Sequence, residues 1–289
     1  MVTKATATKT KKPEPDLKGR TETDYLKLAR TKAFTVKTQK SWRRIHVYAR
    51  NKKGKTRLGF SPGRDNVLII DPEKGTALMK QLDPFVWPVV TWEDLQEAYG
   101  ALRTGKLSPN HIKQGESSTP FSWVSVDGCT RINNMALKFV MAIQEMRDLD
   151  RQPGFVDRRD YNKSGELMKQ FFLNMHSLPM NIYFSSQERM IGGSDTDDDE
   201  DSEVSDVFYV ADLPAAPRAT INAFAEVTGR LYTAKVTNKA GDEVKQRRLQ
   251  IGEHPKYDTG FRSDWALPDM IKRPTLPALV KLIEEGEAA

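Results

Sequence analysis

The chain has 289 residues, one cysteine, four histidines, 38% hydrophobic residues and a formal net charge of +6. That length fits one large α/β domain with polar tails or loops, while the lone Cys129 excludes an internal disulfide and the scattered histidines give no zinc spacing. No apolar run is long enough for a membrane helix and the basic N-terminus lacks a secretory apolar segment, so a cytoplasmic setting without membrane partners is expected.

Residues 1–40 read as a basic, largely disordered arm, because Lys, Thr, Ala, Pro13 and Pro15 offer little to bury; Tyr25 to Ala29 fits a short helix within it. The core is expected over 41–289. It starts with a β-prone run, Ile45 to Tyr48, followed by Ala49-Arg50-Asn51-Lys52-Lys53-Gly54-Lys55-Thr56. The ending Gly-Lys-Thr is that of a phosphate-binding loop, whose backbone N–H groups wrap phosphates while the lysine reaches their terminal oxygens and the hydroxyl serves Mg²⁺. Ala49 stands where the first glycine belongs, and Lys52-Lys53 stands where small residues are usual. Ala49 fits only if its φ stays negative.

Asn66 to Asp71 is an uninterrupted apolar run and predicts a strand buried on both faces. Asp71 and Glu73 follow its end, where open α/β sheets place their chemistry. A short strand is expected over 87–90. Thr91-Trp92-Glu93-Asp94 then reads as a capping box, opening a helix to about Arg103. A polar loop over 105–120 leads to a second buried strand, Phe121 to Asp127, and a helix from Ile132 to about Leu149. A helix over 161–177 follows, then a strand from Leu178 to Glu188 that ends in Ser186-Gln187.

Residues 191–206, centred on Asp197 to Asp201, predict a mobile acidic loop without EF-hand spacing. Val207 to Val210 suggests a strand, Pro214 leads into a helix to Phe224, and Val227–Val236 with Val244–Ile251 reads as a hairpin. Its second strand carries Lys245, Arg247 and Arg248. A basic and aromatic loop over 254–262, of a kind that suits phosphate or single-strand contact, precedes a terminal helix over 274–282.

In this order, Gly54-Lys55-Thr56, Asp71 to Thr76, Val126-Asp127, Ser186-Gln187, Val227 to Leu231, Arg247-Arg248-Leu249 and Tyr257 to Asp264 resemble the phage-encoded RecA-like ATPases linked to single-strand annealing and recombination, an AAA/P-loop group. The resemblance spans roughly Trp42 to Ile283. It implies a RecA-like core with a mostly parallel sheet, helices on both faces and a C-terminal β-hairpin. ATP and Mg²⁺ are the implied cofactors. Single-stranded DNA, further copies of the chain and a phage or host single-strand-binding protein are the implied partners. Carried over, residues 49–56 hold the nucleotide, with Lys55 and Thr56 as its phosphate and metal residues. Asp127 stands on the Mg²⁺ side, Glu73 activates water, and Gln187 senses the γ-phosphate. Arg248 and Arg262 are candidates for contact with a neighbouring subunit's nucleotide or with DNA.

Three readings follow. The first is a DNA-dependent ATPase of phage recombination. The second is a non-catalytic nucleotide- or DNA-binding annealing or loader module with a degenerate loop. The third is a small-molecule phosphotransferase, for which the sequence shows no lid or acceptor site.

Overall fold

The computed structural model describes residues 22–33, 41–192, 207–238 and 241–286. Two compact units, 1–41 and 42–289, make up the chain. The described part of the first contains a helix, α1 (Glu22–Lys32), with Tyr25 and Leu26 exposed. Most of the rest of the expected basic arm, and the acidic run from 193 to 206, lie outside the described residues.

The second unit is built on a ten-stranded sheet. Its strands are β1 (Arg44–Ala49), β2 (Val67–Asp71), β3 (Phe85–Pro88), β4 (Trp123–Asp127), β5 (Asn181–Ile191), β6 (Phe208–Ala211), β7 (Val227–Thr237), β8 (Glu243–Gln250), β9 (Gly260–Phe261) and β10 (Met270–Lys272). The spatial order is β10-β8-β7-β1-β5-β4-β2-β3, with β6 on β5 and β9 on β7. From β7 across to β3 every pairing is parallel. The antiparallel pairings are β7–β8, β8–β10, β5–β6 and β7–β9.

Strands β1, β2 and β4 are buried at every position, as expected of parallel strands covered on both faces. The helices of this unit are α2 (Lys55–Gly59), α3 (Trp92–Leu102), α4 (Pro109–Ile112), α5 (Cys129–Arg147), α6 (Arg158–His176), α7 (Ala215–Phe224) and α8 (Leu276–Glu285). Tyr48, Leu68, Ile70, Val126 and Phe184 pack on one face against α3, α5, α6 and α7. Ile45, Val47, Ile69, Tyr183 and Leu249 pack on the other against α2 and α8. The α/β architecture expected from the sequence is therefore present, and its C-terminal hairpin is β7–β8.

Local chemistry sets the ends. Thr91 Oγ1 accepts from the Asp94 N–H at 3.2 Å and Asp94 Oδ2 accepts from the Thr91 N–H at 2.8 Å, the reciprocal cap read from the sequence. Helix α5 starts at Cys129 rather than Ile132, because Gly128 at φ 123° turns the chain directly out of β4. Strand β5 runs past the expected end at Glu188 to Ile191, since its far half pairs with β6. Strands β9 and β10, of two and three residues, carry too little periodicity to be read from sequence.

Beneath the site, His46 on β1 is fully buried between Asn222 of α7 and Ser186 of β5, at 2.9 and 3.0 Å. Burial lowers its pKa to about 4, with the Asn222 hydrogen bond opposing and Arg218 adding to the shift, so it is neutral near pH 7.

Candidate active site

Because β1, β2, β4 and β5 are parallel, their C-terminal ends meet along one edge of the sheet. Ala49 lies at the end of β1, in register with Gln187 on β5, while Asp71 ends β2 and Asp127 ends β4. Ligands of open α/β sheets bind at this edge.

The loop from Ala49 to Thr56 crosses it. Ala49 is absent from the residues with positive φ, so the missing glycine costs no backbone strain there. Lys52 takes the left-handed conformation instead, at φ 62°, and Gly54 has φ 97°. Lys55 is buried, and its Nζ donates to the Ala49 carbonyl at 3.1 Å and to Gln187 Oε1 at 3.2 Å. Burial pushes its pKa down, while the carboxylates of Asp127, Glu73 and Glu188 oppose that shift.

Gln187 joins the two sides of the site. Its Nε2 lies 3.4 Å from both carboxylate oxygens of Glu73. Burial raises the Glu73 pKa, partly offset by Gln187. Glu73 is packed over Gly128: a Cβ there would lie 2.8 Å from Glu73 Cγ. Asp71 has a different task. It accepts from the Gly75 N–H at 3.1 Å and the Thr76 N–H at 2.9 Å, and so builds the turn that carries Glu73.

Asp127 is buried, and burial raises its pKa against hydrogen bonds from Thr56 and Ser185. Ser185 Oγ donates to Asp127 Oδ1 at 2.7 Å. The Thr56 hydroxyl and the Asp127 carboxylate both lie close to Gly75. A Cβ at Gly75 would lie 3.4 Å from Thr56 Oγ1 and 3.5 Å from Asp127 Oδ2. One hydroxyl and one carboxylate fit Mg²⁺, which takes few protein ligands and completes its shell with water and phosphate oxygens. Among the described residues no cluster of three or more His, Cys, Asp or Glu side chains suits an all-protein metal site.

Beside the loop lies a cleft of about 730 Å³, lined by Lys52, Lys53, Arg57, Lys245, Arg247 and Arg273 together with apolar groups that include Phe60 and Leu82. Among the described residues no carboxylate lines it. On the loop's opposite flank, Glu188 holds Arg50 at 3.0 Å and Arg230 at 2.5 Å, and Arg230 lies 4.2 Å from the Tyr257 ring centre.

The structure thus gathers Ala49, Gly54, Lys55, Thr56, Glu73, Asp127 and Gln187. Asn51 is an exposed loop residue, and Arg50 is tied to Glu188. Arg262 is not brought to this site: it follows β9, which pairs with the start of β7 at the other end of the strands, and it donates to the Ala223 carbonyl. Arg248 pairs across the sheet with Tyr232 and Lys272 and donates to Gln246 Oε1 at 3.3 Å. Its neighbour Arg247 is the residue at the loop. Alternation along a strand sends adjacent side chains to opposite faces, and that periodicity was the signal separating the two. Gly75, Gly128 and Ser185 carry no comparable sequence mark.

A parallel sheet with a lysine-bearing phosphate loop at its C-terminal edge defines a P-loop nucleotide site. Residues 41–263 match the AAA domain family, and the chain belongs to that family of P-loop ATPases. Among solved structures, the KaiC-like protein PH0186 from hyperthermophilic archaea, Pyrococcus horikoshii OT3, is similar at 8% identity and a TM-score of 0.37, over 76% of this chain and 82% of that one. A search of curated protein sequences finds no match. No described helix is long and apolar enough to cross a membrane.

Proposed function

We propose that this chain binds and hydrolyses ATP with Mg²⁺ and couples that cycle to single-stranded DNA. The observation that carries the nucleotide part is the Lys55–Gln187–Glu73 chain of contacts above a loop whose Ala49 is unstrained. In this reading Lys55 leaves the Ala49 carbonyl for the terminal phosphates. Thr56 and Asp127 hold the metal, which neutralises phosphate charge when bound. Glu73, its proton affinity raised by burial, accepts a proton from the attacking water. Gln187 reports the γ-phosphate to β5.

The DNA part rests on the motif resemblance and on the cationic and aromatic groups beside the loop. His254 stacks on Tyr257 with ring centres 4.2 Å apart, Tyr209 lies tilted against Tyr257 at 5.8 Å, and Arg230 lies next to them. Association of several copies, action in phage recombination and cooperation with a single-strand-binding protein belong to the same reading. Arg248 is its candidate for contact with DNA or a neighbouring subunit, and Arg262, away from the chain's own site, for contact in trans.

Phosphate release measured with and without single-stranded DNA tests both parts. Turnover is expected to rise with DNA and to fall by roughly 10²-fold or more in Lys55→Ala. DNA binding and annealing without any ATP hydrolysis would establish the non-catalytic loader reading instead. Normal hydrolysis by Lys55→Ala would remove the loop from the chemistry.

A further inference from the structure

We propose that the cationic cleft beside the loop is an outer wall of the polyphosphate site, with Arg247 as a clamp supplied by the same chain. This rests on the reading of the loop as a nucleotide site and adds a residue to it.

Three observations carry it. First, the Arg247 guanidinium lies against the loop itself: a Cβ on Gly54 would be 2.6 Å from Arg247 Nε and 3.1 Å from its Cζ. Glycine at φ 97° is what permits that approach. Second, the strand pairing fixes Arg247 from behind. It sits opposite Thr233 of β7, and its carbonyl accepts from the Arg273 N–H at 2.9 Å. Its position is therefore set by the sheet rather than by a flexible loop. Third, charge is unmatched. None of Lys52, Lys53, Arg57, Lys245, Arg247 and Arg273 is engaged by a side-chain ion pair among the described residues, and no carboxylate lines the cleft.

Like charges crowded into one cleft repel in the empty protein, and a polyanion reverses the sign of that interaction. A guanidinium presents its N–H groups in a planar fork that matches phosphate oxygens, which a single ammonium does not. The ligand class is the phosphate chain of a nucleoside triphosphate, gripped by the loop on one side and by Arg247 on the other.

The test is calorimetric titration of the full chain with Mg²⁺-ATP and, separately, with inorganic tripolyphosphate. Arg247→Gln is expected to weaken both by about tenfold or more, the loss of a charge-assisted hydrogen bond, and Arg247→Lys to recover part of it. Lys272→Gln, on β10 outside the cleft lining, is expected to bind as the parent does. Undiminished binding of both ligands by Arg247→Gln overturns the clamp. So does a loss confined to ATP, which would place Arg247 on the nucleoside. Should Arg247→Gln fail to fold, the pair Lys245→Gln and Arg273→Gln serves instead, and an unchanged tripolyphosphate affinity overturns the cleft. Lys55→Ala keeps the two ideas apart. If it loses ATP while Arg247→Gln does not, only the clamp falls; if the parent binds no nucleotide, the underlying reading falls as well.

Discussion

The two flanks of the phosphate loop handle positive charge in opposite ways. Toward β5 and β6, Arg50 and Arg230 share Glu188, Arg189 faces Asp212 at 3.7 Å and Arg218 faces Asp258 at 4.0 Å. Toward β8 and β10, six cationic side chains line one cleft with no carboxylate among them. The first flank spends its charge internally and gains a fixed structure. The second leaves its charge available to a ligand and accepts repulsion when empty. Net charge alone hides this division, because +6 is a small sum over two very different surfaces.

The largest expected effect lies on the paired flank. The Glu188 side chain is 2% exposed and that of Arg230 16%. Replacing Glu188 with Gln leaves the largely buried Arg230 without its counter-charge, and a loss of about 3 kcal/mol in unfolding free energy is expected by analogy with other buried pairs. Denaturant unfolding measures it. A loss no larger than that of an exposed pair would erase the contrast between the flanks.

Next comes the ground between them. Burial raises the folded-state pKa of Asp127 above its unfolded value. The stability linked to this group is then fully present below the unfolded carboxylate range and is lost as pH rises through the raised folded value. Asp127→Asn is therefore expected to raise the nucleotide-free Tm at pH 7, by roughly 2–4 °C for each kcal/mol relieved, with the gap closing near pH 4. Thermal melts in chelator across that pH range decide it, and a lower Tm at pH 7 would contradict the assignment. The same variant should lose metal-dependent nucleotide binding.

On the cationic flank, the double variant Lys245→Gln and Arg273→Gln is expected to leave unfolding free energy within about 0.5 kcal/mol of the parent, since no ion pair is broken. A marked destabilisation would mean that these charges are structural after all. The smallest effect is expected at Lys52. Glycine removes roughly 1 kcal/mol of left-handed strain, but it also loosens the unfolded chain by a similar amount, so Lys52→Gly should be nearly neutral in a melt.

Much of the frame was legible in the sequence because it depends on local pattern. The unbroken apolar run ending in Asp71 and the mostly apolar run ending in Asp127 announced buried strands, and the Thr91–Asp94 cap fixed the start of a helix. Lys55, Thr56, Glu73, Asp127 and Gln187, which the structure brings together at one edge of the sheet, were picked out because each lies at or beyond the end of an expected strand. Other parts depend on three-dimensional approach. Gly128 leaves room for Glu73 to pack over it, but nothing in its neighbours announces that role. Arg248 was singled out where Arg247 reaches the loop, because a one-residue difference on a strand is a change of face. The partnership of Glu188 with Arg50 and Arg230 joins residues far apart in the chain, which no local window contains.

Strand β5 is 11 residues long and belongs to two neighbourhoods. As far as Ser185 it lies between β1 and β4, and β1 follows it to Gln187; from Glu188 to Ile191 its antiparallel partner is β6. Gln187 thus stands where the two neighbourhoods meet, and its side chain touches Lys55 and Glu73. At about 3.3 Å per residue, a tilt of roughly 10° there displaces Ile191 by about 2 Å. In geometric terms, a tilt small beside Gln187 would be a shift of nearly half an inter-strand spacing at Ile191.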